Sequence, residues 1–503
     1  MKQSKQSGRW LRLALASALI LAGHPARGGD GPSVLEYHNG PDRSGRYVVP
    51  GLTWERARNI RRVEAFRGEV EGDIYAQPLY WQRSGEGAGL LIVATEENVV
   101  DALDAGSGAT VWRRSLGSPV PSSSLSCGNI NPLGITGTPA IDPRRRAVYL
   151  DAFVDGAGGP RHLVFGLSLE DGSVLPGWPV DVAEALGKLG LRFNSPDQNQ
   201  RGALTIAGDR LYLPYGGHFG DCGEYHGWVI GVSLHEPKDV AAWETRAVGG
   251  GIWAPGGIAY DGRSLFVATG NTMGAKSWAD GEAVIRLGLD LARSTAARDF
   301  FAPRDWRALD GEDGDLGGTA PLPLEAPGGE GPAALVLALG KDGKAYLLNR
   351  EHLGGIGGAL AVRGVSEGPI RTAPAAYRLR QDILVALQGR GTGCPSQGAD
   401  AGLLALRIRA EPRPAIETAW CGSLDGEGAP MVTTADAGGA DPIVWILGAE
   451  GDDRLHGYRG DTGEELTRAT GAAMEGLRHF ATITAAAGRL YVAGDGRIYA
   501  FGF

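Results

Sequence analysis

Residues 218–226 concentrate side chains that can do chemistry. This segment, HFGDCGEYH, holds two histidines, two acids, a tyrosine and a cysteine. Imidazole and carboxylate groups at such close spacing could bind a metal ion or transfer protons. However, Cys222 has other cysteines to pair with, and no third histidine lies near it in the sequence. The pattern therefore favours a loop pinned by a disulfide over a metal or catalytic cluster.

A second acidic segment, DGEDGD, occupies residues 310–315 and could offer carboxylate oxygens to calcium. An EF-hand loop has acids or amides at alternate positions and glycine at the sixth, whereas here glycine stands at the fifth. The match fails, so a solvated acidic loop is favoured over a calcium site.

Four cysteines, Cys127, Cys222, Cys394 and Cys421, allow three disulfide pairings. Cys394 and Cys421 lie in one of the repeats described below, which favours pairing them and leaves Cys127 for Cys222. No C-x-x-C-H motif occurs, which excludes covalently attached haem c, and no spacing resembles a zinc site.

The first 28 residues have the order of a secretory signal peptide: four basic residues, an apolar run of about eleven residues, then small and breaking residues. That run is shorter than the ~20 residues of a membrane span, and no transmembrane segment is predicted elsewhere. We predict export to the periplasm or the extracellular space, an oxidising setting that suits two disulfides. Cleavage near Gly28 would move the formal net charge from −9 to −14, which argues against nucleic acid as a partner.

Short runs rich in Val, Ile, Leu and Tyr alternate with turn residues, and 81 of the 503 residues are glycine. Strands bounded by tight turns have this texture, and helical periodicity is confined to residues 182–189 and 292–298. One apolar strand recurs eight times, at residues 99–104, 163–168, 228–233, 283–288, 344–349, 402–407, 454–459 and 497–502. Repeats of this length with several strands each are typical of propeller blades.

The last repeat ends at the C-terminus without an outer strand, while residues 61–70 have strand character and no partner. Pairing the two would close a ring and remove the open edges. We therefore predict an all-β fold: an eight-bladed β-propeller of four-stranded antiparallel blades, closed by its two terminal segments, with seven blades as the alternative. Residues 29–503 would form this single domain.

The segment DALDAGSGATVW at residues 101–112 resembles the blade signature of pyrroloquinoline-quinone (PQQ)-like repeats. The chain also resembles exported PQQ-like propellers of unsettled activity, through YAQPLY at 75–80, GITGTPAID at 134–142, YHGWVIG at 225–231 and GKDG at 340–343. The likeness covers nearly the whole predicted domain. It implies the fold, and it places any ligand site on the propeller axis, where loops from many blades meet.

Better-understood members of this superfamily, the quinoprotein alcohol dehydrogenases, hold PQQ on the axis with calcium. GGIW at 250–253 and ATGN at 268–271 resemble their segments with the stacking tryptophan and a calcium-binding asparagine. The resemblance thus implies that Trp253 stacks on PQQ, that Lys341 contacts the quinone oxygens, and that Asn271 and Asp221 bind calcium. These types suit the task, because a planar quinone needs an aromatic floor and calcium takes oxygen ligands.

The chain departs from these dehydrogenases in two ways. It lacks their adjacent cysteine pair, and their catalytic aspartate aligns best with Gly288, with Asp290 as the alternative. These losses favour a non-catalytic binding or scaffold protein whose partner is a protein or a small molecule on the axis. A PQQ- and calcium-dependent dehydrogenase of an alcohol or sugar is the alternative. Recognition of carbohydrate or cell surfaces by exposed tryptophans is a third interpretation.

Overall fold

The computed structural model describes residues 33–82, 89–326, 334–395, 402–410, 413–468 and 473–503. The predicted signal peptide, residues 1–28, lies outside this range. The described residues form eight sheets, which are the eight blades of a β-propeller. The predicted fold class and blade number are confirmed.

Each of the first four blades has four antiparallel strands, and its first strand is the innermost. The strands of blade 1 are Leu79–Trp81, Leu90–Ala94, Val99–Asp104 and Thr110–Ser115; of blade 2, Ala140–Asp142, Ala147–Gly156, Gly159–Ser168 and Val180–Asp181; of blade 3, Thr205–Ala207, Arg210–Tyr215, Trp228–Ser233 and Val240–Glu244; of blade 4, Ala259–Tyr260, Leu265–Thr269, Ala283–Leu287 and Phe300–Ala302. Blade 4 gains an outermost parallel strand, Gly355–Ile356.

Blades 5 to 7 repeat this plan, and blade 8 takes its outer strands from the beginning of the chain. The strands of blade 5 are Leu322–Glu325, Ala334–Leu339, Lys344–Asn349 and Ala361–Gly364; of blade 6, Ala375–Leu379, Asp382–Gln388, Leu403–Arg409 and Ala415–Gly422; of blade 7, Met431–Thr434, Ile443–Leu447, Leu455–Arg459 and Glu465–Arg468; of blade 8, Ile483–Ala486, Arg489–Gly494 and Arg497–Gly502. The eight recurring strands predicted from sequence are the third strands of the eight blades.

The ring closes as predicted within residues 61–70. Arg61–Arg62 and Gly68–Glu69 both pair antiparallel with Arg497–Gly502, the last strand of the chain. The outer edge of blade 8 is therefore covered by the N-terminal part of the same polypeptide, which removes an edge that could template aggregation.

The tryptophan of the blade signature packs between blades. The Trp112 indole donates a hydrogen bond to the Leu169 carbonyl at 2.9 Å, and Trp420 repeats this contact with Gly460. Gly172 in the turn of blade 2 lies flat on the Trp112 ring: its φ is +69°, and a Cβ atom there would come within 2.6 Å of the ring. Any side chain at this turn would clash with the tryptophan of the neighbouring blade, so the turn requires glycine.

A segment that the sequence did not single out, residues 33–49, forms a belt along the innermost strands. Its backbone pairs in turn with Tyr80 of blade 1, Ile141 of blade 2, Tyr260 of blade 4 and Ala376 of blade 6. Its last part, Arg46–Val48, adds a parallel strand to blade 7. The belt gives hydrogen-bond partners to inner strand edges that would otherwise be open.

Helices are short in the described part of the chain: Trp54–Ala57, Val182–Lys188 and Trp306–Glu312, with 3₁₀ turns at Tyr37–Asn39, Ser122–Ser124, Ser195–Asp197 and Leu316–Gly318. The helix predicted at 182–189 is present. The helix predicted at 292–298 is wrong, because this stretch is an irregular connection held by ion pairs such as Arg293 to Asp280. None of the helices described is long and apolar enough to cross a membrane.

Candidate functional site

A cavity of about 610 Å³ is lined by loops that join the blades and by loops that join the second and third strands within single blades. Its lining runs from Asn129, between blades 1 and 2, through Trp253 and Lys341 to Phe480, between blades 7 and 8. Loops from around the whole ring meet only at its centre, so the cavity is axial. A second, narrow cavity of about 20 Å³ continues from it as far as Tyr37 in the belt.

The structure brings all four sequence-nominated residues to the axial cavity. Asp221, Trp253, Asn271 and Lys341 line it together, although they come from different loops. Backbone pairing holds two of these loops in register: the Gly250 N–H donates to the Asn271 carbonyl at 2.7 Å, and the Gly270 N–H donates to the Gly251 carbonyl at 3.0 Å. Trp253 and Asn271 are therefore held on neighbouring, mutually bonded loops.

Trp253 is half-buried and has a cation near its ring. The Lys341 ammonium nitrogen lies 5.1 Å from the indole centroid, within the range of a cation–π contact. Gly270 crosses close behind the indole, and a Cβ atom there would lie 3.1 Å from Trp253 Nε1. A side chain at position 270 would therefore crowd the indole.

Lys341 bridges two carboxylates. Its Nζ lies 2.6 Å from Asp313 Oδ1 and 2.6 Å from Asp315 Oδ2. Asp315 is 2% exposed, and its other oxygen accepts a hydrogen bond from the Asn271 backbone N–H at 2.7 Å. Burial raises the pKa of Asp315, against the lowering effect of Lys341. Burial lowers the pKa of Lys341, but the two aspartates outweigh it and leave this pKa above its ordinary value.

Glu282 lies behind this cluster and is fully buried. One of its oxygens accepts a hydrogen bond from the Leu316 N–H at 2.7 Å, and the other has no hydrogen-bond partner. Burial, and then the negative charge of Asp315, raise the pKa of Glu282 to about 9. At neutral pH it is therefore a protonated acid beside the Lys341 cluster.

The opposite wall of the cavity carries two arginines and a histidine. Arg371 pairs with Glu427 at 2.9 Å, and His479 Nδ1 lies 2.7 Å from Glu450 Oε1. Arg201 donates from Nη2 to His479 Nε2 at 3.1 Å. This wall was missed at the sequence level, because its members are isolated residues in five different loops and share no motif.

The mouth of the cavity is tied down by a disulfide. Cys127 and Cys222 are bonded, as are Cys394 and Cys421, so both favoured pairings are confirmed. The first bond joins the loop after blade 1 to the 218–226 loop of blade 3, whose Phe219 is 69% exposed and lines the cavity. The prediction that this loop is pinned by a disulfide is correct.

The two histidines of that loop have structural partners. His218 Nε2 contacts the Pro196 carbonyl at 2.9 Å, and His226 Nδ1 contacts the Thr245 carbonyl at 2.9 Å. Burial lowers the pKa of His218 to about 4, so its imidazole is neutral. Asp221 is exposed, and its Oδ1 accepts a hydrogen bond from the Tyr225 hydroxyl at 2.5 Å.

The interpretation of residues 310–315 as a solvated loop is wrong for two of its acids. Asp310 lies in the helix Trp306–Glu312 and accepts hydrogen bonds from the backbone N–H and the hydroxyl of Thr272. Asp315 is the buried acid beside Lys341. Gly288, where the resemblance placed the catalytic aspartate, does not line the cavity, whereas Asp313 and Asp315 do. The two carboxylates that contact Lys341 thus come from the loop between blades 4 and 5.

No family model and no curated protein matches the sequence. Solved structures do match over nearly the whole chain. The quinohemoprotein alcohol dehydrogenase of Comamonas testosteroni is 14% identical, with a TM-score of 0.62 over 95% of this chain and 81% of its own. Enzyme ADHIIG, a quinohemoprotein alcohol dehydrogenase of Pseudomonas putida HK5, is 13% identical, with a TM-score of 0.62 over 94% and 80%.

A europium-containing methanol dehydrogenase is 11% identical, with a TM-score of 0.62 over 95% of this chain and 99% of its own. Likeness at such low identity shows the fold and leaves the activity open. The chain therefore has the eight-bladed propeller fold of the quinoprotein alcohol dehydrogenases.

Proposed function

We propose that this chain is an exported binding protein whose axial cavity holds a planar anionic ligand of the PQQ class. One observation carries the proposal: Asp221, Trp253, Asn271 and Lys341, nominated through the resemblance, line a single cavity, with Lys341 Nζ 5.1 Å from the Trp253 centroid. Two disulfides, and a predicted signal peptide at residues 1–28, support export to the periplasm or beyond.

The residues present fit such a quinone. Trp253 would supply an aromatic face for stacking, and the glycine at position 270 leaves room beside its indole. Lys341 would donate from its ammonium group to carbonyl oxygens at the ring edge, where its positive charge stabilises negative charge on oxygen. The Asp313 and Asp315 carboxylates hold this ammonium in place. Bound PQQ would itself supply a two-electron acceptor.

The calcium implied by the resemblance fits less well. Among the described residues, no three histidine, cysteine or acidic side chains are grouped as a metal site would need. The positive charge beside Asp315 comes from Lys341, and Asp221 at the mouth is bonded to Tyr225. Our proposal therefore includes no resident metal, and calcium on Asn271 and Asp221 becomes an arm of the test below.

A PQQ-dependent dehydrogenase of an alcohol or sugar is the second candidate function. The observation that favours it is Asp315, a buried carboxylate beside Lys341 in the cavity wall, because oxidation of an alcohol requires a base for its hydroxyl proton. Asp315 could fill the role that the resemblance had placed at Gly288. Recognition of carbohydrate by a tryptophan-rich face has no such support, since none of the eleven described tryptophans is exposed.

The test is a titration of chelator-treated protein with PQQ, with and without added Ca²⁺, followed by tryptophan fluorescence and quinone absorbance. We expect saturable binding that Trp253→Ala abolishes, while Trp54→Ala, a half-buried tryptophan away from the cavity, leaves it intact. We expect PQQ to bind without added Ca²⁺. An absolute requirement for Ca²⁺ would instead support the calcium site on Asn271 and Asp221. Equal binding by both variants, or no binding at micromolar PQQ, would refute the proposal.

A further inference from the structure

Arg201 stands where the two axial cavities meet. With His479 and Phe480, it lines both the large cavity and the narrow one that leads to the belt. Its guanidinium carbon lies 4.9 Å from the Phe480 ring centroid, and its Nη2 lies 3.1 Å from His479 Nε2. These contacts hold the guanidinium at the inner end of the large cavity.

The other cations of this cavity have carboxylate partners, but Arg201 has none within ion-pair distance in the part of the chain that the structure describes. Lys341 pairs with Asp313 and Asp315, and Arg371 pairs with Glu427. Burial accordingly lowers the pKa of Arg201. A partly buried guanidinium without an ion-pair partner costs free energy that a bound anion would recover.

His479 does not neutralise Arg201. Its Nδ1 faces Glu450 Oε1 at 2.7 Å, so that nitrogen carries the proton and Nε2 accepts the hydrogen bond from Arg201. Burial, and then Arg201 itself, lower the pKa of His479, which keeps the ring neutral. The neutral ring thus takes one N–H of the guanidinium and brings no negative charge into contact with it.

We infer that Arg201 binds the carboxylate of a small organic acid at the inner end of the axial cavity. A guanidinium presents parallel N–H groups that match the two oxygens of a carboxylate. A single positive charge without an ion-pair partner suits a monoanion, because Glu427 and Glu450 also line the cavity and repel a more highly charged group such as phosphate more strongly. This inference deepens the proposed function, because it gives the cavity a second, acidic ligand beside the one on Trp253.

The test compares matched acids and alcohols by calorimetry: benzoate against benzyl alcohol, and glycolate against ethylene glycol, with inorganic phosphate as a further probe. We expect the acids to bind saturably, and at least tenfold more tightly than the neutral analogues and phosphate. Arg201→Gln should weaken benzoate binding at least tenfold, and Arg201→Lys should weaken it less. The control Arg58→Gln, which removes an exposed arginine paired with Glu464, should change nothing.

Three results would overturn the inference: equal binding of benzoate and benzyl alcohol to the unaltered protein, preference for phosphate, or unchanged benzoate binding by Arg201→Gln. The first two need no variant, so they decide the matter even if Arg201→Gln does not fold. Trp253→Ala separates the two proposals, because it should abolish PQQ binding and spare benzoate. Benzoate binding without any PQQ binding would leave the Arg201 site standing and remove the proposed function.

Discussion

Two arginines, Arg43 in the belt and Arg201 at the axial cavity, differ in their surroundings. Arg43 in the belt is 2% exposed and donates hydrogen bonds to five acceptors: Glu36 and the carbonyls of Tyr37, Gly40, Leu204 and Gly256. Arg201, at the cavity, has one acceptor among the described residues, the neutral His479 ring. Both arginines belong to the same eight-bladed propeller.

The difference separates a structural charge from one available to a ligand. At the belt, the protein supplies the counter-ion of Arg43. Glu36 pairs with it at 3.1 Å and also accepts hydrogen bonds from the Thr205 hydroxyl and the Ile206 N–H. At the cavity, Arg201 borders a space of about 610 Å³ that can hold a ligand. We therefore expect changes at the belt to alter stability and changes at the cavity to alter binding.

The largest effect is expected at the belt. Arg43→Met should lower the free energy of unfolding by about 3–5 kcal/mol, because it leaves Glu36 charged and buried without its partner. Urea unfolding measures this loss, and Glu36→Gln added to Arg43→Met should recover part of it. The exposed pair of Arg58 and Glu464 is the control, where Arg58→Met should cost less than about 1 kcal/mol. A loss at Arg43 no greater than at Arg58 would break the comparison.

A smaller effect is expected at the cavity. Lys341→Gln should raise the Kd for PQQ about 30-fold, equivalent to about 2 kcal/mol for a lost charged hydrogen bond. Lys344→Gln is a matched control, since Lys344 also pairs with two aspartates, Asp305 and Asp342, but does not line the cavity. Calorimetry should give the control an unaltered Kd. Similar losses in both variants would mean that the charge of the loop, and not the contact of Lys341, governs binding.

A third prediction concerns the pH dependence of stability. The pKa of Glu282 is raised to about 9 from an ordinary value of 4.5, so the folded protein binds a proton that the unfolded chain releases between these values. Stability from this group is therefore complete below pH 4.5 and falls as the pH rises toward 9, by at most about 1.4 kcal/mol per pH unit. The midpoint temperature of thermal unfolding should fall less steeply between pH 5 and 9 for Glu282→Gln than for the unaltered protein. Identical slopes would contradict the assigned protonation.

The fold was predictable because its repeat is local. An apolar strand, a turn glycine and a tryptophan recur in sequence. The contact of Gly172 in blade 2 with Trp112 in blade 1 shows how these recurring positions pack between neighbouring blades. The belt was not predictable, because residues 33–49 are polar and resemble a loop. They become ordered only because the inner edges of several blades offer them hydrogen-bond partners.

The site was predictable in part for the same reason. Trp253, Asn271 and Lys341 stand in short motifs, so a resemblance could nominate them. Asp315 was noticed as a member of an acidic segment, while the resemblance placed the catalytic aspartate at Gly288. Arg201 and His479 carry no motif and come together only through closure of the ring, so no local pattern could have shown them.

The most direct test of the central claim is a crystal structure of the protein grown with PQQ. The account predicts the quinone in the axial cavity, with its ring stacked on the Trp253 indole at van der Waals distance and the Lys341 ammonium at its oxygens. Quinone bound away from Trp253, or an axial cavity that stays free of it at saturating concentration, would contradict the account.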